Sequence, residues 1–245
     1  MNRQQEYRAM LAVDIEGSGG RGNTALLRIR EVLFEILRDA VEHSGIDWTL
    51  CLRQDLGDGM RVIVPADTSK FRMIQPMVRE LSAALEAHNE TAATVERIRV
   101  RMALHAGDVH LGPSDEPAGR SLVVLARLLD AAPVRKALAQ APEAVVVAVL
   151  LSQHFYDETI GHGYPGIDPR TFHRVAVAEK ETTMPAWLHL SGAVIVSPPD
   201  ATATPPATRA DEPPQRSTMV NRASGRGVVY ATQNGTQHIH TPDES

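Results

Sequence analysis

A single cysteine, Cys51, means that the 245-residue chain cannot close an internal disulfide. It lies in the apolar stretch Leu50-Cys51-Leu52 and reads as a core residue of a protein kept under reducing conditions. Basic residues are outnumbered: 25 Lys and Arg against 30 Asp and Glu leave a net charge of −5. That balance argues against a nucleic-acid partner gripped through its phosphates. Long apolar runs are missing too. The longest, residues 144–151, falls far short of the roughly 18 residues of a membrane span, so no membrane partner is expected. The opening Met1-Asn2-Arg3-Gln4-Gln5-Glu6 is polar and charged, unlike a secretory leader. The expectation is a cytoplasmic protein.

What is present fits a soluble globular domain: 43% hydrophobic and 22% charged residues, in a chain long enough for one good-sized domain with extensions. Residues 8–15 are mostly apolar and predict a central strand. Residues 23–43 predict a helix, with Leu27, Leu33, Phe34, Leu37 and Val41 at three- and four-residue steps, Asn23 as its cap and Gly45 as its stop. Residues 48–52 and 60–64 predict a hairpin turning at Gly57-Asp58-Gly59. A second helix is expected over 70–88, and a strand from 98 with alternating Ile98, Val100, Met102 and Leu104. Residues 121–130 predict a third helix. A strand over 143–149 and a short helix over 152–156 follow, and a hairpin over 172–178 and 185–190 closes the domain. The fold class is α+β, with the β-α-β-β-α-β order of a ferredoxin-like split βαβ and C-terminal additions.

The chain reads as three parts. Residues 1–192 carry the periodic apolar patterns. Residues 193–220 mix Pro198, Pro199, Pro205, Pro206, Pro213 and Pro214 with Ala, Thr, Asp and Arg, and read as a semi-extended, disordered linker. Residues 221–245 are too short to fold alone, but carry β-prone Val228-Val229-Tyr230 and a Gln/Asn/Gly/Thr-rich turn before His238-Ile239-His240.

Two aspartates are the candidate chemistry. Asp14 ends the first strand in Leu11-Ala12-Val13-Asp14-Ile15-Glu16-Gly17, and Asp58 sits at the hairpin tip in Leu56-Gly57-Asp58-Gly59-Met60. Taken alone, Gly57-Asp58-Gly59 is also an ordinary turn. A pair of strand-end carboxylates beside glycines suits magnesium, which prefers one or two carboxylates plus substrate phosphates to an all-protein cage. Other candidates are weaker. His105, His110, His154, His162 and His173 lack close ligand spacing, and His238 and His240 alone make a poor metal site. Ser18 lacks the spacing of a nucleophile elbow. Arg97, Arg99 and Arg101 are expected on a solvated strand face.

In order and spacing, the Asp14 segment, the Leu56-Gly57-Asp58 hairpin, the strand Arg101-Met102-Ala103-Leu104-His105-Ala106-Gly107-Asp108-Val109 and the helix after Gly119 resemble the class III nucleotide cyclase catalytic domain. The resemblance covers residues 7–191. It implies a head-to-tail homodimer with active sites at the interface. It also implies two divalent ions, Mg2+ or Mn2+, held by Asp14, Asp58 and the Ile15 carbonyl. One would activate the ribose 3′-hydroxyl of a nucleoside triphosphate and the other clamp the leaving pyrophosphate. The loop from Glu16 to Gly22, with Gly17, Ser18 and Gly19, would hold the triphosphate. The base-selecting positions fall on Gln54, where the family has lysine or glutamate, and on Glu116. The transition-state arginine matches Arg127, while the ribose-orienting asparagine is replaced by Val123. Electrostatic stabilisation at the phosphate supplies much of such a rate, so an arginine without its asparagine is a weakened site. Arg127 also reads as an ordinary helix-surface residue. Two function classes therefore stand open. One is a metal-dependent cyclase of uncertain base, a pyrimidine included. The other is a catalytically degenerate, nucleotide-binding signalling module.

The C-terminal segment resembles short motifs of actinobacterial signalling proteins that are similar to amyloid-forming adaptor sequences, which pair with a copy on a partner such as a STAND-type NTPase. A β-prone, Gln/Asn-containing segment of low charge without internal proline can stack in register, and composition alone also fits a disordered tail. A peptide of residues 225–240 should form thioflavin-positive fibrils, and Val229→Pro should stop it by removing a ladder donor. A peptide that stays monomeric at high concentration would leave the segment as a disordered end.

Overall fold

The computed structural model describes residues 4–111, 116–179 and 182–192. The linker and the C-terminal motif lie outside the described residues. In chain order the elements are β1 (Gln4–Ile15), α1 (Asn23–His43), β2 (Leu52–Asp55), β3 (Gly59–Ile63), α2 (Met77–Thr91), β4 (Val100–Leu111) and β5 (Pro117–Ala118). Then follow α3 (Arg120–Asp130), α4 (Ala132–Gln140), β6 (Val147–Ser152), α5 (Gln153–Asp157), β7 (His173–Glu179) and β8 (Thr182–Leu190). The strands form one sheet in the order β2-β3-β1-β4-β6-β8-β7, with β5 on the end of β4. All pairings are antiparallel except β4 with β6. The β2-β3-β1-β4 half is the expected split βαβ arrangement.

Strand alternation sends the apolar residues to two different layers. Leu11, Val13 and Ile15 of β1 pack with Leu33 and Leu37 of α1, Leu81 and Leu85 of α2 and Phe155 of α5. Met10 and Ala12 face the other way, onto Leu125 and Leu128 of α3 and Val134 and Leu138 of α4. Every residue of β6 is buried, because helices cover both of its faces, and hence its unbroken apolar sequence. The even positions of β1 therefore look toward α3, and Asp14 is one of them.

Several expectations are corrected. The stretch 48–52 is not a strand: Trp48–Leu50 form a 3-10 turn capped by the Asp47 side chain, and β2 begins at Leu52. The helix expected over 70–88 is two pieces, a 3-10 turn at Lys70–Met73 and α2, because Pro76 lacks an N–H and stands at the N-cap. Asn23 does not cap α1. Gly22, at φ 78°, holds the N-cap and Asn23 is the first helical residue. The nine residues of α4 were not anticipated; their signals are a proline in the first turn and the buried pair Val134 and Leu138. Cys51 is buried as expected, and burial pushes its thiol up to about 11.

His105 on β4 shares the face that looks toward α3, where its Nδ1 lies 2.8 Å from Ser152 Oγ. Ser152 also accepts from the Phe155 N–H and so caps α5. Burial, with help from His154, pulls the His105 pKa from 6.5 to about 4. The unfolded chain then binds a proton that the fold refuses, so this group's contribution is present above pH 6.5 and is lost as pH falls toward 4. His105→Gln keeps a hydrogen-bonding group and removes the titration. Urea midpoints from pH 7 to 4 should fall less steeply in the variant than in the parent protein; identical slopes would exclude the assignment.

Candidate functional site

The backbone brings the two aspartates together. Asp14 on β1 stands opposite Gly59 on β3, and the Ile15 N–H donates to the Asp58 carbonyl at 3.1 Å. Such closeness requires glycine: a Cβ on Gly59 would lie 2.0 Å from the Val13 carbonyl oxygen. At the tip, Gly57 turns at φ 95°, and its N–H donates to the Asp55 carboxylate at 2.8 Å. The turn-forming residues thus set Asp58 beside the end of β1.

The carboxylates sit in unlike surroundings. Asp14 is only 8% exposed. Its Oδ2 accepts from Arg101 at 2.6 Å, while its Oδ1 is buried with no donor. Burial raises its pKa from 3.8 to about 6, Arg101 offsets part of that, and the Asp58 and Asp130 charges raise it further. Asp58 is half-buried, and its Oδ2 accepts from Ser18 Oγ at 2.6 Å. Arg101 is Asp14's cross-strand partner on β4, and its own Nε is buried without an acceptor. This corrects the solvated-face expectation for two of the three arginines. Arg99 is half-buried, pairs with Glu16 at 3.2 Å and donates to the Val145 carbonyl at 2.9 Å; only Arg97 is exposed.

The loop after β1 is open on one side. Gly17 takes φ 64°, Ser18–Gly20 make a 3-10 turn, and Gly22 leads into α1. Arg21 ties the loop down by donating to the Glu16 carbonyl at 2.7 Å and the Gly17 carbonyl at 3.3 Å. A Cβ on Gly17, Gly19 or Gly22 would meet nothing within 4 Å. Ser18 links this loop to Asp58, so loop and carboxylates form one constellation.

The other predicted residues make no hydrogen bond or ion pair with it. Gln54 is exposed on β2 and accepts from Arg61. Glu116 is exposed just before β5. Arg127 is half-buried on α3 and makes no hydrogen bond or ion pair with a described residue, Asp14 and Asp58 included. Val123, one turn earlier, is 49% exposed. Within one chain, then, Asp14, Ile15, Asp58, Gly17, Ser18 and Gly19 converge, and Gln54, Glu116 and Arg127 do not. Among the described residues no group of three or more His, Cys, Asp or Glu side chains gathers to hold a metal ion. The pair present matches the lighter protein share that magnesium takes beside phosphates, and the donorless Oδ1 of Asp14 suits a cation. A hollow of about 400 Å³ between α2 and β8, lined by Val78, Ser82, Val149, Phe172 and His189, includes neither carboxylate.

No protein-family model and no curated protein matches the chain. Solved structures do. The guanylyl cyclase Cya2 is 16% identical, with 78% of this chain and 93% of that chain covered and a TM-score of 0.53. The adenylate/guanylate cyclase/hydrolase from Silicibacter pomeroyi is 17% identical, with 78% and 99% covered and a TM-score of 0.54. The catalytic core of a rhodopsin-guanylyl cyclase with converted specificity, in complex with ATPalphaS, is 12% identical, with 78% and 98% covered and a TM-score of 0.51. The fold is that of nucleotide cyclase domains. At these identities the cyclase likeness is one of fold, and it covers the domain that carries Asp14 and Asp58. No described helix is long and apolar enough to cross a membrane.

The hairpin's dependence on glycine can be measured. Gly59→Ala should cost about 1–3 kcal/mol in urea denaturation, as overpacking against backbone does. Gly19→Ala, where the added carbon meets nothing within 4 Å, should stay within about 0.5 kcal/mol. Equal effects at the two positions would contradict the close approach.

Proposed function

We propose that the domain binds a nucleoside triphosphate with divalent ions and converts it to a 3′,5′-cyclic nucleotide and pyrophosphate. The observation that carries this reading is the buried, donorless oxygen of Asp14, held by backbone contacts beside a second carboxylate and an open glycine loop. Mg2+ or Mn2+ bound there would supply Lewis-acid activation of the 3′-hydroxyl and neutralise phosphate charge.

The chain's own residues set the rest. Asp14, Asp58 and the Ile15 carbonyl would hold the ions. Gly17, Ser18 and Gly19 leave room for phosphate oxygens to approach backbone N–H groups at the start of α1. Arg101, now neutralised by Asp14, becomes available to phosphate once that carboxylate is engaged elsewhere. The 3′-oxygen bonds to the α-phosphorus as the bond to pyrophosphate breaks, and the hydroxyl proton leaves to solvent. Arg127 stabilises the charge that builds on the phosphate. Arg127 makes no hydrogen bond or ion pair with the carboxylates of its own chain, and in the head-to-tail homodimer that the resemblance implies it would serve the site of the second copy.

One observation favours a second reading, a nucleotide-binding signalling module with little turnover. Val123 offers an exposed methyl pair where ribose needs an orienting amide. In that reading the linker over 193–220 tethers the C-terminal motif over 221–245, which recruits a partner such as a STAND-type NTPase.

Incubation with ATP, GTP, CTP and UTP and Mn2+ should give a cyclic product by mass spectrometry, absent with Asp14→Ala or Asp58→Ala. Mixed Asp58→Ala and Arg127→Ala proteins, after subunit exchange, should regain product through one intact composite site. Nucleotide binding without product from wild type, and with product from Val123→Asn, would select the second reading.

A further inference from the structure

The loop between β1 and α1 has little of its own to hold its shape. Residues 17–20 read Gly-Ser-Gly-Gly, and their 3-10 turn buries no side chain. Glycine has the most backbone freedom to lose, so a stretch of this kind needs an anchor to keep one conformation. Two side chains of the loop supply ties: Ser18 reaches Asp58, and Arg21 reaches both back over the loop and across to the residues that lead into β4. On the loop, Arg21 Nη2 donates to the Glu16 carbonyl at 2.7 Å and Nε to the Gly17 carbonyl at 3.3 Å. Its Nη1 turns the other way, donating to the Arg97 carbonyl and, at 3.5 Å, to that of Val95. Four of the five N–H bonds of a guanidinium are thus aimed at main-chain oxygens. The far anchor is itself fixed. Asn89 of α2 donates to the Ile98 carbonyl at 2.8 Å and accepts from the Ile98 N–H at 2.7 Å, and Glu96 pairs with Arg28 of α1 at 3.0 Å. The Glu16 N–H donates to the Arg99 carbonyl at 2.8 Å, which holds the start of the loop to the same stretch.

We propose that Arg21 is a positioning residue: its guanidinium clamps the backbone of Glu16 and Gly17 to the stretch before β4, so that the glycine loop holds one arrangement before any phosphate arrives. The clamp stands on the geometry; that phosphate is what the loop receives rests on the nucleotide reading above. An arginine beside a glycine loop is by its chemistry a ready phosphate ligand, but this planar fork is directed at protein carbonyls, and its part is to shape the loop. A loop already ordered loses less entropy when it binds. Charge and clamp can be separated by substitution. Lysine keeps the charge but carries all its donors on one nitrogen, and cannot cover carbonyls set along different edges of a plane.

Two measurements on Arg21→Met and Arg21→Lys test this. Hydrogen exchange of the ligand-free protein, read by mass spectrometry over residues 16–22, should be at least about tenfold faster in both variants, with the buried face of α1 unchanged. Calorimetry with Mg2+ and nonhydrolysable analogues of ATP, GTP, CTP and UTP should show the best-bound nucleotide weakened about tenfold in both, the cost of ordering one freed backbone residue on binding. Thermal unfolding sets a temperature at which each variant is folded; if Arg21→Met does not fold, Arg21→Lys carries both measurements. Parental exchange over 16–22 in the folded variants overturns the proposal. So does parental affinity in Arg21→Lys, because charge alone then suffices. Faster exchange in the variants, with no nucleotide bound by the parent protein, overturns the nucleotide reading and leaves the clamp standing.

Discussion

Burying a carboxylate costs free energy unless its oxygens find donors or a cation, and this fold buries Asp14 with one oxygen satisfied and one not. Arg101 supplies a single hydrogen bond at 2.6 Å, and the net effect of the surroundings still raises the pKa to about 6. The sign is informative. A carboxyl whose folded pKa exceeds its unfolded value of 3.8 takes stability from the protein as pH rises through that window. Evolution of a stable core alone would favour an apolar or fully paired residue there. Perturbed carboxyls of this kind cluster at functional sites, and this one stands at a strand end beside a second acid.

The rest of the architecture serves that position. The β2–β3 hairpin is drawn against β1 through the contact between Ile15 N–H and the Asp58 carbonyl, which only a glycine at 59 permits. The loop that follows is tied at both ends by Arg21 yet leaves its glycines open. Layers of helices on both faces hold β1 rigidly in the sheet, so the carboxylates rest on strands and a tight turn instead of a mobile segment. Residues on α3 and at the β2 edge stay outside this constellation, which is the division of labour expected if a second copy completes it.

Much of this was legible in the sequence because the signals are local. A strand ending in Asp14 before Gly17, and a Gly-Asp-Gly tip ahead of an apolar run, announce both carboxylates and the turn, while the hairpin's first arm lies at Leu52–Asp55 and not at 48–52. The 21 residues of α1 follow from their apolar spacing. What sequence left hidden depends on register or on competing local chemistry. The partnership of Arg101 with Asp14 is a cross-strand relation that alternation cannot reveal, and so Arg99 and Arg101 read as a solvated face. Pro76 outweighed the helical periodicity around it, and the Asp47 cap outweighed the apolar pattern of Trp48 to Leu50. The link between Arg61 and Gln54 likewise needs the pairing of β2 with β3.

The central claim is that Asp14 receives a cation together with a triphosphate, and calorimetry of a nonhydrolysable nucleoside triphosphate with and without Mg2+ tests it most directly. The parent protein should bind the nucleotide more tightly with Mg2+ than without it, because the Asp14 oxygen that has no donor is the one left to take the cation. Asp14→Asn keeps the side chain's size and removes its charge, and should lose that metal dependence while remaining folded by thermal unfolding. Nucleotide affinity that depends on Mg2+ to the same degree in folded Asp14→Asn would contradict the account.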